Sequence, residues 1–420
     1  MNWTDKDKEY VWHPFTPQSG LREAINIVRG EGVYLFDENG KKYLDAISSW
    51  WVNLHGHSNP YIATKISEQL NKLEHSIFSG FTHPGAVELA ERLIKHLPDN
   101  QKKIFYSDNG STAVEVALKM VLQYWHNKDQ SKTIFIAFEN AYHGDTFGSM
   151  SVGARNVFNN AFENLLFEVK YISVPTNENF TEVKKQLSDF IKQGTVAGFI
   201  FEPLVQGAAG MVMYKEEHLE ELISTCRENN VITIADEVMT GFGRTGKFFA
   251  SDFLKNKPDI FCLSKGLTGG FMASGVTSCA GFIHDAYVSE DKTKTFFHGH
   301  SYTANALTCC AALASLDLLE RKETQDQIEM ITLSHSSFIK RLNSPRLKDV
   351  RMKGTIIAFE LNTAEHTHYL NKAAPEITEF FLKKGIILRP LGNIFYIIPP
   401  YVITKTELEE IYSAIEEFLK

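Results

Sequence analysis

The chain has 420 residues, 43% of them hydrophobic and 22% charged, a balance that excludes a disordered polymer and allows a large core with a smaller companion unit. A formal charge of -8 and a pI near 6.0 exclude a general affinity for nucleic acid, which requires a net basic face. Five cysteines without a C-x-x-C pair suggest neither a disulfide framework nor a thiolate zinc site, and with no basic-apolar leader after Met1 and no long apolar run, the expectation is a cytoplasmic protein without a membrane partner.

Between Ile104 and Leu263, short β-branched runs alternate with helical periodicity, the pattern of βαβ units around a mainly parallel sheet. The first predicted strand, Ile104 to Tyr106, leads into Ser107-Asp108-Asn109-Gly110-Ser111-Thr112. There a helix opens whose apolar positions Ala113, Val116, Ala117, Met120, Val121 and Tyr124 keep the 3.6-residue period. Backbone N–H groups and hydroxyls at such a helix start can hold a phosphate, although Ser or Asn in that place is ordinarily only a cap.

The second strand, Thr133 to Phe138, is followed by Asn140-Ala141-Tyr142-His143-Gly144-Asp145. The Tyr142 ring suits stacking on a flat heteroaromatic ligand, while an isolated Tyr-His pair in a loop is more often structural. Val196 to Phe201 leads to Glu202-Pro203-Leu204-Val205-Gln206-Gly207, where the Gln206 amide both donates and accepts.

A helix from about Lys215 to Asn229 precedes the strand Val231 to Ala235, which ends on Asp236-Glu237. Two carboxylates at the end of a buried strand are costly unless paired, so at least one needs a cationic or metal partner; a protonated pyridine nitrogen is such a partner. The strand Ile260 to Leu263 ends on Ser264-Lys265-Gly266. A partly desolvated lysine there has a lowered pKa and a nucleophilic amine, as a Schiff-base lysine requires, whereas a lone lysine at a strand end is otherwise a surface group. A long helix near Asn305 to Arg321 and a mixture of elements ending in Glu407 to Lys420 read as a smaller α+β unit. The expected division is a large domain over 50–304 and a small one formed from both chain ends, 1–49 and 305–420.

Open α/β sheets bind ligands beyond the carboxyl ends of their strands. A lysine, an acid, a phosphate cradle and a stacking aromatic, at successive strand ends, are the set that pyridoxal-phosphate (PLP) chemistry needs. Two other motifs lead nowhere. Gly241-Phe242-Gly243-Arg244-Thr245-Gly246 matches G-x-G-x-x-G but does not directly follow a strand, and Phe248 stands where a P-loop needs Ser or Thr. The pairs His55/His57 and His298/His300 lack a third ligand pattern, so no metal is expected.

The stretch Ile234-Ala235-Asp236-Glu237-Val238-Met239-Thr240-Gly241-Phe242-Gly243-Arg244-Thr245-Gly246-Lys247, with Ser264-Lys265-Gly266-Leu267-Thr268-Gly269-Gly270, resembles the signature of the class III, fold-type I PLP aminotransferases. The resemblance spans essentially the whole chain. Trp12-His13-Pro14-Phe15-Thr16, Ser48-Ser49-Trp50-Trp51 with His55-Gly56-His57, Tyr142-His143-Gly144-Asp145-Thr146, and Arg389-Pro390-Leu391-Gly392 leading to Tyr396 resemble its biotin-pathway branch.

That resemblance implies a fold-type I α/β architecture, with a mainly parallel sheet covered by helices plus a smaller α+β domain. It implies that Lys265 carries PLP, Asp236 pairs the pyridinium, and Gly110 and Ser111 hold the phosphate. Tyr142 would stack on the ring, with Gln206 near its hydroxyl. Ser301, within His298-Gly299-His300-Ser301-Tyr302, matches a position that reaches the phosphate of the other subunit, implying a homodimer with shared active sites.

The implied reaction is ping-pong transfer of an amino group to 8-amino-7-oxononanoate, giving 7,8-diaminononanoate. Trp50 would wall its carbon chain and Arg389 take its carboxylate, with Phe15, Tyr142, Asp145, Arg244, Gly299 and Tyr396 completing the substrate pocket. Many members that use S-adenosylmethionine as donor have Tyr where this chain has Phe15, and some relatives with Phe take lysine, while Tyr396 resembles the S-adenosylmethionine users. Other readings are another class III ω-transaminase, an aminomutase, and a non-catalytic PLP-binding scaffold.

Overall fold

A computed structural model describes residues 2–20 and 22–420. Its centre is a seven-stranded sheet whose strands are, in chain order, β1 (Gln101–Ser107), β2 (Ile134–Phe138), β3 (Val169–Ile172), β4 (Val196–Phe201), β5 (Ile232–Asp236), β6 (Ile260–Leu263) and β7 (Gly275–Ala280). Across the sheet the order is β1-β7-β6-β5-β4-β2-β3. Neighbours from β6 to β3 run parallel, and β7 is antiparallel to both β6 and β1. This is the mainly parallel, helix-covered sheet of the expectation.

The expected strands are all present, and the differences lie at the margins. β1 begins at Gln101, because as an edge strand it pairs Lys103 with Cys279 while turning lysine side chains to solvent. β7 has no aliphatic run and gave no strand signal. Its residues are all buried; Thr277 and Cys279 face the helix Gly110–Asn127, where Thr277 Oγ1 donates to the Ala113 carbonyl, and Val276 and Ser278 face the other side of the sheet. A bulkier strand would not fit under that helix. The other edge strand, β3, carries only Val169 and Ile172 as fully buried apolar residues.

The helix Gly110–Asn127 is fixed by the Asn109 side chain, which accepts from the Thr112 amide while Thr112 Oγ1 accepts from the Asn109 amide. Ala113, Val116, Ala117, Met120 and Val121 then bury one face against the sheet. The helices Glu216–Glu228, Ala306–Leu319 and Lys405–Phe418 stand close to their expected positions.

Among the described residues, three smaller sheets accompany this centre, one of them the short antiparallel pair Val205–Gln206 and Val212–Met213. Ile27–Glu31, Tyr34–Asp37 and Lys42–Asp45 form an antiparallel meander that Ile386–Ile387 extends in parallel, joining the two chain ends in one sheet. Leu347–Lys353, Ile356–Leu361 and Ile394–Ile397 form the third. Among the described residues no helix is long and apolar enough to cross a membrane.

Candidate active site

Because β1, β2, β4, β5 and β6 all point the same way, the loops after them converge beyond one edge of the sheet. They border a cavity of about 710 Å³, the size that encloses a cofactor with a small substrate. Of the residues singled out from sequence, Phe15, Trp50, Gly110, Ser111, Tyr142, Asp145, Asp236, Lys265 and Arg389 line it.

Lys265 stands two residues beyond the end of β6, at a φ of 42° that a lysine adopts only at a cost. Ser264 helps to set this corner, its hydroxyl donating to the Ser274 carbonyl at 2.5 Å. The side chain opens onto the cavity but is otherwise enclosed by protein, with Nζ 4.6 Å from the Trp51 ring centroid. Burial lowers its pKa to about 8, against the opposing pull of the Asp236 and Glu202 carboxylates. A useful share of the amine is therefore neutral near physiological pH.

Asp236 ends β5. Its Oδ2 lies 2.7 Å from His143 Nδ1, and its Oδ1 accepts from the Val238 amide at 3.1 Å. His143 is buried, and its Nε2 has no protein partner. Glu202, at the end of β4, also lines the cavity; one oxygen accepts from the Tyr142 amide and the other from the Gly207 amide. Burial raises its pKa to about 7, partly offset by His143 and supported by Asp236. The neighbouring Glu237 is turned away, held by Thr240, Ala250 and Ser251, so the two adjacent carboxylates have separate tasks.

At the start of the helix Gly110–Asn127 the Thr112 amide is already taken by Asn109. The amides of Gly110 and Ser111, at the cavity wall, are those left for an anion. A side chain at position 110 would collide with Val238 at 2.8 Å, so glycine is what lets this helix start sit against the segment that follows β5. Ser111 Oγ accepts from the Asp145 amide, and Tyr142 Oη donates to the Asp145 carboxylate at 2.8 Å. Burial and then Asp145 push the Tyr142 phenol upward, so it remains protonated.

The far side of the cavity is aromatic and cationic. The Arg389 guanidinium lies 4.2 Å from the Trp50 ring centroid, and Trp50 meets the edge of Phe15 at 5.6 Å. Phe158 and Tyr369 complete this wall, with ring centroids 4.7 Å apart, and Arg389 Nη2 approaches Tyr369 Oη at 3.5 Å. Neither ring was singled out from sequence, since a lone aromatic in a loop carries no signal of its own. His143 and Glu202 were visible within strand-end motifs but were given no role.

Five expected residues do not line the cavity. Gln206 is fully buried, its amide donating to the Glu139 carbonyl while its Oε1 has no protein partner. Arg244 was expected to complete the substrate pocket, but it is 1% exposed and spends its guanidinium on the carbonyls of Pro399, Trp51 and Asn53. Tyr396 is buried behind Trp51, accepting from the indole N–H at 3.0 Å. Gly299 and Ser301 lie exposed on the outer surface. The histidine pairs have other partners: His55 Nε2 lies 3.1 Å from Ser315 Oγ, and His57 Nε2 lies 3.0 Å from Asp45.

Comparison with known proteins agrees in direction. A family model described as Aminotransferase class-III matches residues 16–419. A Synechococcus elongatus protein named adenosylmethionine-8-amino-7-oxononanoate aminotransferase is 44% identical, over 98% of this chain and 98% of its own. The crystal structure of a Methanocaldococcus jannaschii protein of the same name superposes with a TM-score of 0.92, at 38% identity, covering 99% of this chain and 98% of that one. A PLP-bound amine transaminase from an uncultivated Pseudomonas species superposes with a TM-score of 0.91 at 29% identity, covering 98% of each chain.

Proposed function

Given that this chain belongs to the class III aminotransferases, we propose that it is the PLP-dependent enzyme that transfers an amino group from S-adenosylmethionine to 8-amino-7-oxononanoate, the two compounds in its relatives' names. The observation that carries this reading is the cavity itself, with a nucleophilic lysine and an acid at one end and a guanidinium flanked by aromatic rings at the other.

The residues present fit the cofactor. Lys265 has a depressed pKa, two free amides and a hydroxyl stand at a helix start, and Asp236 borders the cavity. Lys265 would hold the aldehyde carbon, Gly110 and Ser111 the phosphate, Asp236 the pyridine nitrogen and Tyr142 the ring face. PLP, when bound, supplies an electrophilic carbon and a ring that draws electrons from the carbon bearing the amine.

The chain's own residues do the rest. Asp236, fixed by His143 and the Val238 amide, presents a carboxylate where a ring N–H can donate to it. Lys265 would move a proton at the substrate carbon, and burial keeps its pKa in the range where one amine can both take and return that proton. Tyr142, Trp50 and Phe15 exclude water from the site, and Arg389 binds the acceptor's carboxylate at the end of its carbon chain.

Lysine as donor is the second reading, favoured by Phe15, which lines the cavity without a hydroxyl. Gly299 and Ser301 are assigned to the cavity of a second copy, in a homodimer with shared sites. The exposed Phe297 and Tyr302 beside them, 73% and 66% accessible, support that assignment. The division into 50–304 and the two chain ends belongs to the same reading, supported by the pairing of Lys42–Asp45 with Ile386–Ile387, as does a cytoplasmic location.

The test incubates purified protein and PLP with 8-amino-7-oxononanoate and either S-adenosylmethionine or lysine, and follows 7,8-diaminononanoate by mass spectrometry. Product with neither donor refutes the need for one, and no product with either refutes the reaction.

A further inference from the structure

Four successive residues, Ser48, Ser49, Trp50 and Trp51, have φ values of 52°, 45°, 74° and 73°. None is glycine. The amides of Trp51 and Val52 donate to the carbonyls of Ile47 and Ser48, so the segment is one turn of left-handed helix. L-residues visit this region singly and at a cost, because Cβ crowds the following carbonyl, and a run of four persists only when its surroundings hold it.

The surroundings are specific. Asp45 is fully buried; its Oδ1 accepts from the Ile47 amide, and its Oδ2 accepts from Ser49 Oγ at 2.9 Å and lies 3.0 Å from His57 Nε2. Ser48 Oγ donates to the Ile398 carbonyl, and Arg244 holds the Trp51 and Asn53 carbonyls from the other side. The product of this turn is the placement of two adjacent indoles, one against Arg389 and one against Lys265. In an ordinary extended or right-handed segment, neighbouring side chains would not be delivered to these two places together.

We infer that the turn is a strained presentation device and that Asp45 is a positioning residue for substrate recognition, acting through Ser49 to keep Trp50 against Arg389. Asp45 touches neither the cavity nor the reacting groups. Its carboxylate holds the left-handed conformation that the sequence would otherwise relax. The inference rests on the proposed acceptor, a carbon chain ending in a carboxylate.

Strain and lock separate experimentally at Ser49. Ser49→Ala and Ser49→Gly both remove the hydroxyl that reaches Asp45, but only glycine adopts a positive φ without penalty. For the holoenzyme, the KM for 8-amino-7-oxononanoate is expected to rise about tenfold in Ser49→Ala and to stay within about threefold of the parent in Ser49→Gly, with kcat within about threefold in both. Asp45→Asn should behave like Ser49→Ala, and adding Ser49→Gly to it should recover most of the loss.

Hydrogen exchange at the Val52 and Asn53 amides, which donate to Ser48, should be faster in Ser49→Ala than in Ser49→Gly. Equal KM and equal exchange in the two Ser49 variants, or losses in kcat that merely follow Tm, overturn the inference. A parent enzyme that does not aminate this ketone refutes the proposed reaction instead, and the order of exchange rates still decides the turn.

Discussion

Oδ2 of Asp236 lies 2.7 Å from Nδ1 of His143, both side chains being buried at the inner end of the cavity. The contact orients the carboxylate, while its other oxygen is fixed by the Val238 amide. An aspartate so held is suited to keep a ring nitrogen protonated. Asp236→Asn preserves the shape and removes the charge, and it should lower kcat by about 10²-fold or more with little change in fold, as measured by steady-state kinetics beside circular dichroism.

The titrations around the site predict opposing effects of pH on the cofactor-free protein. Burial raises Glu202 and Glu237 to about 7, above their unfolded values, so their contribution is present at low pH and is lost as pH climbs through about 7. Lys265 is depressed to about 8, so its contribution is present above its unfolded value and is lost as pH falls through about 8. Compared with Lys265→Met, the parent should therefore be less stable at neutral pH, by on the order of 2 kcal/mol, and the gap should close as pH approaches the unfolded lysine value. Thermal unfolding of both proteins across that range checks it; a gap independent of pH would mean that Lys265 is not desolvated.

Arg389 lies over the Trp50 ring and directs Nη2 toward Tyr369 Oη, and its other N–H groups stand at the cavity wall. Lysine retains the charge but neither the fork nor the flat face. Arg389→Lys should raise KM for the carboxylate-bearing acceptor by about tenfold or more, and an amide analogue of that acceptor should discriminate little between the two enzymes. Initial rates against acceptor concentration give the answer.

Arg244 holds three main-chain carbonyls in a buried site, and burial itself lowers its pKa. Arg244→Lys cannot satisfy all three and should cost about 2–4 kcal/mol of stability, seen as a lower Tm. Parent-like Tm with a raised KM would instead place the guanidinium in the substrate pocket.

The strand ends were legible because a parallel sheet buried on both faces writes its strands as unbroken apolar runs, so Asp236 and Lys265 stood out as charges at their ends. β7 was illegible for the opposite reason: Thr277 is buried by a hydrogen bond to the Ala113 carbonyl and Ser278 by one to the Gln101 side chain, which leaves no hydrophobic pattern. Phe158 and Tyr369 reach the cavity from loops distant in sequence, and only tertiary packing brings them together. Arg244 sits within the family signature, and its position there gave no hint that backbone carbonyls occupy it. The left-handed run at Ser48–Trp51 is equally silent, because its sequence contains no glycine to announce a positive φ.

The most direct measurement is borohydride reduction of the PLP-loaded protein followed by peptide mass mapping. One equivalent of reduced cofactor per chain is expected, fixed to the peptide containing Lys265, with no fixation in Lys265→Met. Cofactor attached at another lysine, or undiminished attachment in that variant, would contradict it.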